Sequence, residues 1–412
     1  MPRRRRGRQL CHHTRVRVLI LSWEYPPVVV GGLGRHVHGL CVALAAAGHE
    51  VTVMTRGADD GTSPAVEVFE GVRIVRTEPD PAVPTIGPDD IVTWALAFNH
   101  ALTRGALALE GPFDVIHVHD WLVAHAGVNL SVATGAPLVV TVHATESGRH
   151  GDSLRTDLHR TIHGVERWML GSANRVVVCS THMRDEVQRL FALAVGQVEV
   201  VPNGVDARAW SSLTQPADRG GFKKHGSGPL LVCIARLVRE KGVGDLIRAA
   251  ALLRHRHRDL RVVVAGEGHR REDLIAEVAE QGVQDIVDLV GFVPQDQLAA
   301  LLAGASVVVI PSRYEPFGLV ALEAAAAGVP RVVAATGGLL EHVRHDRNAL
   351  TYPPGDVGAL VTAVDRMLNE AGLAERLVRT ATADLRSAPG WDEVAVAVTG
   401  VYERARETMC EP

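Results

Sequence analysis

Cysteine is scarce in this chain. There are five in 412 residues (Cys11, Cys41, Cys179, Cys233 and Cys410), an odd number, and no two stand at metal-ligand spacing. A disulfide-built scaffold is excluded, and reduced thiols in a cytoplasmic protein are the expected state. A strong excess of one charge is missing as well: the net charge is −4, so no basic field points to nucleic acid. No apolar run nears the roughly 20 residues of a membrane span. The basic start, Arg3 to Arg6, lacks the apolar stretch that would follow it in a secretory leader. The fingerprint G-x-G-x-x-G directly after the first strand is absent too, which argues against a nicotinamide-dependent oxidoreductase. The twenty histidines are read mostly as surface residues rather than zinc ligands; His255 and His257, for example, fall among arginines.

What is present fits a globular enzyme of two domains: 47% of residues are hydrophobic and 22% charged. The chain is organised around Pro311 to Glu323. An apolar run, Ala305 to Ile310, reads as a buried parallel strand, and Val320 to Ala327 as an Ala-rich helix ended by Gly328. A strand, a tight loop and a helix start are where open α/β sheets hold phosphates. Gly318 admits close approach to the backbone, and the N–H groups of Gly318, Leu319 and Val320 would face an anion. Glu315 suits either a ligand contact or a helix-start residue favoured by the dipole. Glu323 lies in an otherwise apolar helix, and a buried carboxylate needs a partner.

In chain order, residues 1–14 read as a disordered basic tail, or as a basic patch for a membrane surface. Residues 15–205 form a first domain. Val16 to Leu21 is its first strand, and a loop with Gly31 and Gly32 leads to a helix from Arg35 to Ala47. The double glycine is either a plain turn or a backbone able to close over a diphosphate. Asp120 and His143 end the strands Phe113 to Val118 and Pro137 to Val142, at the edge where ligands bind. Residues 206–228, rich in Ser, Gly and Lys, read as a linker. Residues 229–390 form a second domain, with Arg236 and Lys241 on a basic loop after its first strand. Val287 to Val293 is a further strand, Gly337-Gly338 starts a helix, and residues 391–412 carry a final helix expected to cross back onto the first domain. The fold class is therefore α/β, two doubly wound domains facing each other across a cleft.

These residues resemble a family. Glu315 and Glu323, with seven residues between them, are similar to the E-x7-E signature of retaining glycosyltransferases of the GT-B fold, which include bacterial glycogen synthases, sucrose synthases and phosphatidylinositol mannosyltransferases. Gly31-Gly32-Leu33, His119-Asp120-Trp121, Thr141-Val142-His143, Pro202-Asn203-Gly204-Val205-Asp206, Arg236 with Lys241, and Gly337-Gly338 follow in the family's order, from Val16 to Arg406. Trp23-Glu24-Tyr25-Pro26-Pro27, Asp120 to His125 and His143 to His150 look like the actinobacterial glycogen-synthase-like α-1,4-glucosyltransferases.

The resemblance implies roles. Arg236 and Lys241 would hold the nucleotide diphosphate, with the N–H groups of Gly318 and Leu319, beside Phe317, and the Gly31-Gly32 loop. Glu323 would bind the ribose hydroxyls. Glu315 and Gly338 would face the donor sugar. His143 would lie near its 6-hydroxyl and the reacting face, and Asp120 would help place it. Gly291, Phe292 and Val293 would meet the base. No cofactor beyond the donor and no metal are implied. Glycogen synthases that use ADP-glucose usually carry a lysine before the double glycine; here Val30 stands there, so the donor is UDP-glucose or ADP-glucose. The acceptor implied is a glucan, of glycogen or methylglucose-lipopolysaccharide type. A lipid- or inositol-directed mannosyl- or N-acetylglucosaminyltransferase is the alternative within the fold. A non-catalytic sugar-nucleotide-binding protein would be expected to lack one of Arg236, Lys241, Glu315 or Glu323, and all four are present.

Overall fold

The computed structural model describes residues 15–58, 61, 63–78, 90–206, 210 and 228–409. The basic tail, the Pro-rich segment 79–89, most of the expected linker and the last three residues lie outside them.

Two Rossmann-like sheets carry the fold. The first holds β1 (Arg17–Leu21), β2 (Glu50–Thr55), β3 (Val66–Phe69), β4 (Val72–Arg76), β5 (Val115–His119), β6 (Leu138–Val142), β7 (Arg175–Val178) and β8 (Val198–Val200), in the order β3-β4-β2-β1-β5-β6-β7-β8. The second holds β9 (Leu230–Ile234), β10 (Arg261–Ala265), β11 (Val287–Gly291), β12 (Val307–Ile310), β13 (Arg331–Ala334) and β14 (Leu350–Tyr352), in the order β11-β10-β9-β12-β13-β14. All pairings are parallel except β3 with β4. β5, β6 and β12 are buried along their whole length, as expected of Val-rich strands covered by helices on both faces. In each sheet the strand order reverses between its first strand and the fourth parallel one: β1 beside β5, and β9 beside β12. Such a reversal opens a crevice at the carboxyl ends of the strands.

The helices are α1 (Gly32–Ala46), α2 (Ile91–Leu107), α3 (Ala124–Thr134), α4 (Glu146–Arg149), α5 (Asp157–Ser172), α6 (Thr181–Phe191), α7 (Val243–Leu253), α8 (Arg271–Glu280), α9 (Gln295–Gly304), α10 (Leu319–Ala326), α11 (Leu339–His342), α12 (Val357–Asn369), α13 (Leu373–Leu385) and α14 (Trp391–Thr408). Among the described residues no helix is long and apolar enough to cross a membrane.

Several elements differ from the sequence expectation. α1 begins at Gly32, three residues before Arg35. The cap residue, Gly31, has no side chain, but the buried Glu24 carboxylate accepts the Gly34 N–H from a distance, at 3.3 Å, and so satisfies an orphan donor of the first turn. β3 went unread because Val66, Val68 and Phe69 are all exposed on an edge strand and give no buried alternation. It turns into β4 through Glu70 and Gly71, both at positive φ, which is the geometry of a two-residue hairpin loop. β11 stops at Gly291, where φ is 78°, two residues before Val293. α13 was also unread, although Leu373, Leu377, Ala381 and Leu385 recur every four residues and are buried.

α14 lies against α1. Val394, Val398, Val401 and Tyr402 join the core cluster of Val18, Ile20, Val37, Leu40 and Leu44. Full burial of one such side chain contributes about 1.5–3 kcal/mol. Trp391 packs where α1 has Gly39: a Cβ there would stand 2.4 Å from its ring, and one at Gly204 would stand 2.7 Å from it. Two polar contacts fix the register of the helix. Thr399 Oγ1 lies 3.0 Å from His49 Nε2, and Tyr402 OH 2.8 Å from His117 Nδ1.

Candidate functional site

The two crevices face each other. From the first sheet come the loop after β1, the end of β5 and the end of β6. Glu24 Oε2 accepts N–H groups from Val30 and Gly31, each at 2.9 Å, as well as from Gly34. A single buried carboxylate thus shapes the whole glycine loop. Burial pushes its proton affinity up, against the pull of those N–H groups and of Arg236. No role was read for Glu24 from sequence, because three N–H groups converge on it only once the loop is folded.

Asp120 sits just past β5 at φ 60° and ψ 176°, a conformation that a non-glycine residue seldom adopts. Its Oδ1 accepts the His143 N–H at 2.7 Å, so the two residues predicted at this edge are joined. Burial raises the Asp120 carboxyl to about 6, with the His143 N–H, Arg149 and Arg236 opposing. His36, His117 and His119 are exceptions among the histidines: they are buried, with the half-buried His143 beside them. His143 Nε2 is 3.0 Å from His119 Nδ1, His117 reaches Thr141 Oγ1 at 2.7 Å, and His36 Nδ1 reaches Asn203 Oδ1 at 2.8 Å. Burial lowers the affinity of all four for protons, to about 3 for His117 and His143. They are neutral imidazoles at ordinary pH.

The second sheet supplies charge. Lys241 Nζ is 2.6 Å from Glu315 Oε2, and Ser312 Oγ donates to the same oxygen at 3.0 Å. Glu240 lies between Arg149 of the first domain, at 3.5 Å, and Arg236, at 3.6 Å. Burial alone would raise the Glu240 carboxyl, but Arg149, Arg236 and Lys241 together hold it below the ordinary carboxylate range. α10 starts after Gly318, which has φ 93° and no side chain to cap it. The first-turn N–H groups of a helix have no acceptor within it, and an end of this kind can accept an anion.

The predicted residues do meet across the cleft. A Cβ at Gly31 would be 3.4 Å from Arg236 Cδ, and one at Gly32 3.5 Å from Leu319 Cδ1. Glu323 is 5% exposed; its Oε1 pairs with Arg35 of α1, and its Oε2 has no hydrogen bond among the described residues. Gly338 donates its N–H to the Glu315 carbonyl at 2.9 Å, and a Cβ on it would stand 1.9 Å from the Pro316 carbonyl oxygen. The double glycine therefore clasps the backbone of the Glu315 loop. Phe317 is buried, its ring 5.1 Å from that of His342. Gly291, Phe292 and Val293 stand apart, on the edge strand of the second sheet and just beyond it, and Phe292 is 60% exposed. Direct contacts hold the walls together. Tyr314 OH donates to Glu186 Oε1 at 2.8 Å, and Ser180 Oγ to the Pro316 carbonyl at 2.7 Å.

Two apposed Rossmann-like domains with glycine loops turned toward each other define the GT-B architecture, and comparison with known proteins agrees. A family model described as Glycosyl transferases group 1 matches residues 214–384, and one described as Glycosyltransferase Family 4 matches residues 30–209. Over 409 residues the chain is 41% identical to a glycogen synthase of Mycobacterium tuberculosis, covering 96% of this chain and 97% of that protein. It is 32% identical to a D-inositol 3-phosphate glycosyltransferase of Xylanimonas cellulosilytica, covering 91% and 92%. Among solved structures it is similar to a sucrose-phosphate synthase from Thermosynechococcus elongatus, with a TM-score of 0.81, 25% identity, and 96% and 100% covered. The chain belongs to the group 1 glycosyltransferases and is a hexosyltransferase of the GT-B fold.

Proposed function

We propose that this enzyme moves glucose from UDP-glucose or ADP-glucose to the growing end of an α-glucan, with retention at the anomeric carbon and formation of α-1,4 links. The observation that carries this reading is the charge at the second crevice: Lys241 on Glu315 at 2.6 Å, Arg236 against the Gly31 backbone, and the uncapped start of α10. When the sugar–phosphate bond breaks, negative charge grows on the diphosphate. Arg236, Lys241 and the α10 N–H groups at Leu319 and Val320 stabilise it. Neutralisation of the leaving group is assigned to these groups, and the donor is the only small molecule this reading requires.

Glu323 takes the ribose hydroxyls through its unbonded oxygen; its burial beside Arg35 supports this. Glu315 faces the sugar, held by Lys241 and Ser312. Asp120 and His143 shape the other wall, where a neutral imidazole can take or give a hydrogen bond at a sugar hydroxyl without repelling the positive charge that develops at the anomeric carbon. Gly291 to Val293 meet the base through the backbone. Domain contact through Tyr314 and Ser180 excludes water and favours transfer over hydrolysis. Three buried free thiols, Cys41, Cys179 and Cys233, suit the cytoplasm.

The relatives named for D-inositol 3-phosphate support a second reading, in which the acceptor is an inositol phosphate rather than a glucan. An assay crossing UDP- and ADP-glucose with glycogen, maltooligosaccharides and inositol phosphate, with product detection, decides between them. Elongated glucan is the expected product. Glucosylated or otherwise glycosylated inositol phosphate, with no glucan extended, would overturn the first reading.

A further inference from the structure

The starts of α1 and α10 meet across the cleft. Gly32 and Arg35 stand three residues apart on α1, and Leu319 and Glu323 four apart on α10, so each pair lies along one face of its helix. The two faces are turned to each other. A Cβ at Gly32 would be 3.5 Å from Leu319 Cδ1, and the Arg35 guanidinium pairs with Glu323 Oε1. The second carboxylate oxygen, Oε2, is shut off from solvent and accepts no hydrogen bond among the described residues. A buried carboxylate oxygen without a donor is costly. A ligand that brings a hydroxyl to it removes that cost.

We propose that Arg35 is a positioning residue of the donor site. It holds the Glu323 carboxylate so that Oε1 faces α1 and Oε2 faces the ribose. Because it stands on the opposite domain, it also ties recognition of the nucleoside to closure of the cleft. The inference rests on the reading that Glu323 takes the ribose hydroxyls of a nucleoside diphosphate sugar.

Two features make Arg35 suited to this. The backbone that carries it is fixed: Glu24 Oε2 accepts the N–H groups of Val30 and Gly31, each at 2.9 Å, and of Gly34 at 3.3 Å. The geometry also forbids entry while the cleft is closed. A ribose reaches Oε2 only when α1 and α10 part, and that parting breaks the pair between Arg35 and Glu323. Closing over the donor remakes the pair, with a ribose hydroxyl donating to Oε2. Both oxygens then have partners, whereas in the closed empty enzyme one has none. Ribose thus favours the closed state by its differential contact with it, as a ligand-driven closure requires. Other contacts between the domains are blind to the ribose. Ser180 Oγ donates to the Pro316 carbonyl at 2.7 Å, and the His182 N–H to Glu341 Oε1 at 2.9 Å, without touching Glu323.

The test is calorimetric binding of UDP, ADP and their 2′-deoxy and 3′-deoxy counterparts to the full-length protein. Hydrogen bonds to a charged group are strong enough that loss of the ribose hydroxyl should weaken binding by the parent about tenfold or more. Arg35→Ala should bind the ribonucleotide about as weakly as the parent binds its deoxy form, and should barely distinguish the two. Arg35→Lys keeps the charge and should restore part of the discrimination. Glu341→Ala removes a domain contact but should discriminate as the parent does. If Arg35→Ala does not fold, Arg35→Gln, which keeps most of the stem, takes its place. Weaker binding by Arg35→Ala with the ribose-to-deoxyribose ratio unchanged overturns the inference and assigns the guanidinium to the diphosphate. Loss of discrimination in Glu341→Ala overturns it too, since closure of any kind would then suffice. A parent that binds UDP or ADP but ignores both hydroxyls removes Glu323 from the ribose, and the role of Arg35 with it. A parent that binds neither nucleotide overturns the donor class itself.

Discussion

The two crevices share one topology and carry opposite chemistry. At the junction of β1 and β5 the imidazoles of His36, His117, His119 and His143 are neutral, and they stand beside Asp120, whose carboxyl burial raises to about 6. At the junction of β9 and β12 they are charged and paired: Lys241 with Glu315, and Glu240 between Arg149 and Arg236. A strand-order reversal supplies a place for a ligand but no preference for which ligand. The preference comes from the few side chains that the strand ends and following loops present. In the reading proposed above, the cationic crevice takes the diphosphate and the histidine-lined one takes the sugar, whose hydroxyls need hydrogen bonds but whose transition state tolerates little added positive charge.

Removing charge from the second crevice should break this division most sharply. Lys241→Ala and Arg236→Ala are each expected to cost about 2–4 kcal/mol at the transition state, or about 10²–10³-fold in kcat/KM. Circular dichroism and melting temperature should stay near those of the parent. Near-normal kcat/KM with both donors would remove these cations from the transfer step.

A smaller effect is expected from the anchor of the first crevice. Glu24→Gln keeps the shape but replaces charge-assisted acceptance of three N–H groups by neutral bonds and one donor too many. A loss of about 1–3 kcal/mol follows from a buried polar mismatch of this kind, seen mainly as a raised KM for the donor. An unchanged KM would mean that the glycine loop is ordered by Arg236 and Leu319 instead.

The gentlest probe is pH. kcat/KM should fall below about pH 6 as Asp120 takes a proton, and Asp120→Asn should abolish that limb. His143 should add none, because its proton affinity is as low as about 3. The sign for stability runs the other way. Between the ordinary carboxyl value of 3.8 and about 6, folded Asp120 binds a proton more readily than the unfolded chain does. This group's contribution to stability therefore declines as pH rises through that window. An acid limb that persists in Asp120→Asn would assign the proton elsewhere.

Much of this was legible in the sequence, for physical reasons that differ by residue. Val-rich strands ending in glycine loops announce a doubly wound fold because parallel strands are buried on both faces. Glu315 and Glu323 stood out because one precedes a helix start and the other interrupts an apolar helix. For the converse reason, His117 and His119 were not singled out as buried. In β5 the run Val115-Ile116-His117-Val118-His119 alternates like a half-exposed strand, yet helices cover both faces and all five residues are buried. Glu24 escaped notice because three N–H groups converge on it only in the folded loop, and Arg35 and Arg149 because their partners lie far off in sequence. Arg35 meets Glu323, and Arg149 meets Glu240, only across the closed cleft. Spacing along a chain carries no trace of such meetings.

The return of α14 onto α1 has a consequence for the order in which the molecule is made. Domains emerging from the ribosome generally fold as they appear, the first before the second. Here the first sheet cannot complete one face of its core until the last helix is released, since Trp391, Val394, Val398 and Tyr402 fill space beside Gly39, Val37 and His117 that nothing earlier in the chain occupies. The first domain thus waits, with an apolar groove along α1, through the synthesis of the whole second domain. Completion of its fold waits on α14, so a nascent chain that has not yet released α14 has no finished crevice in which to begin transferring sugar.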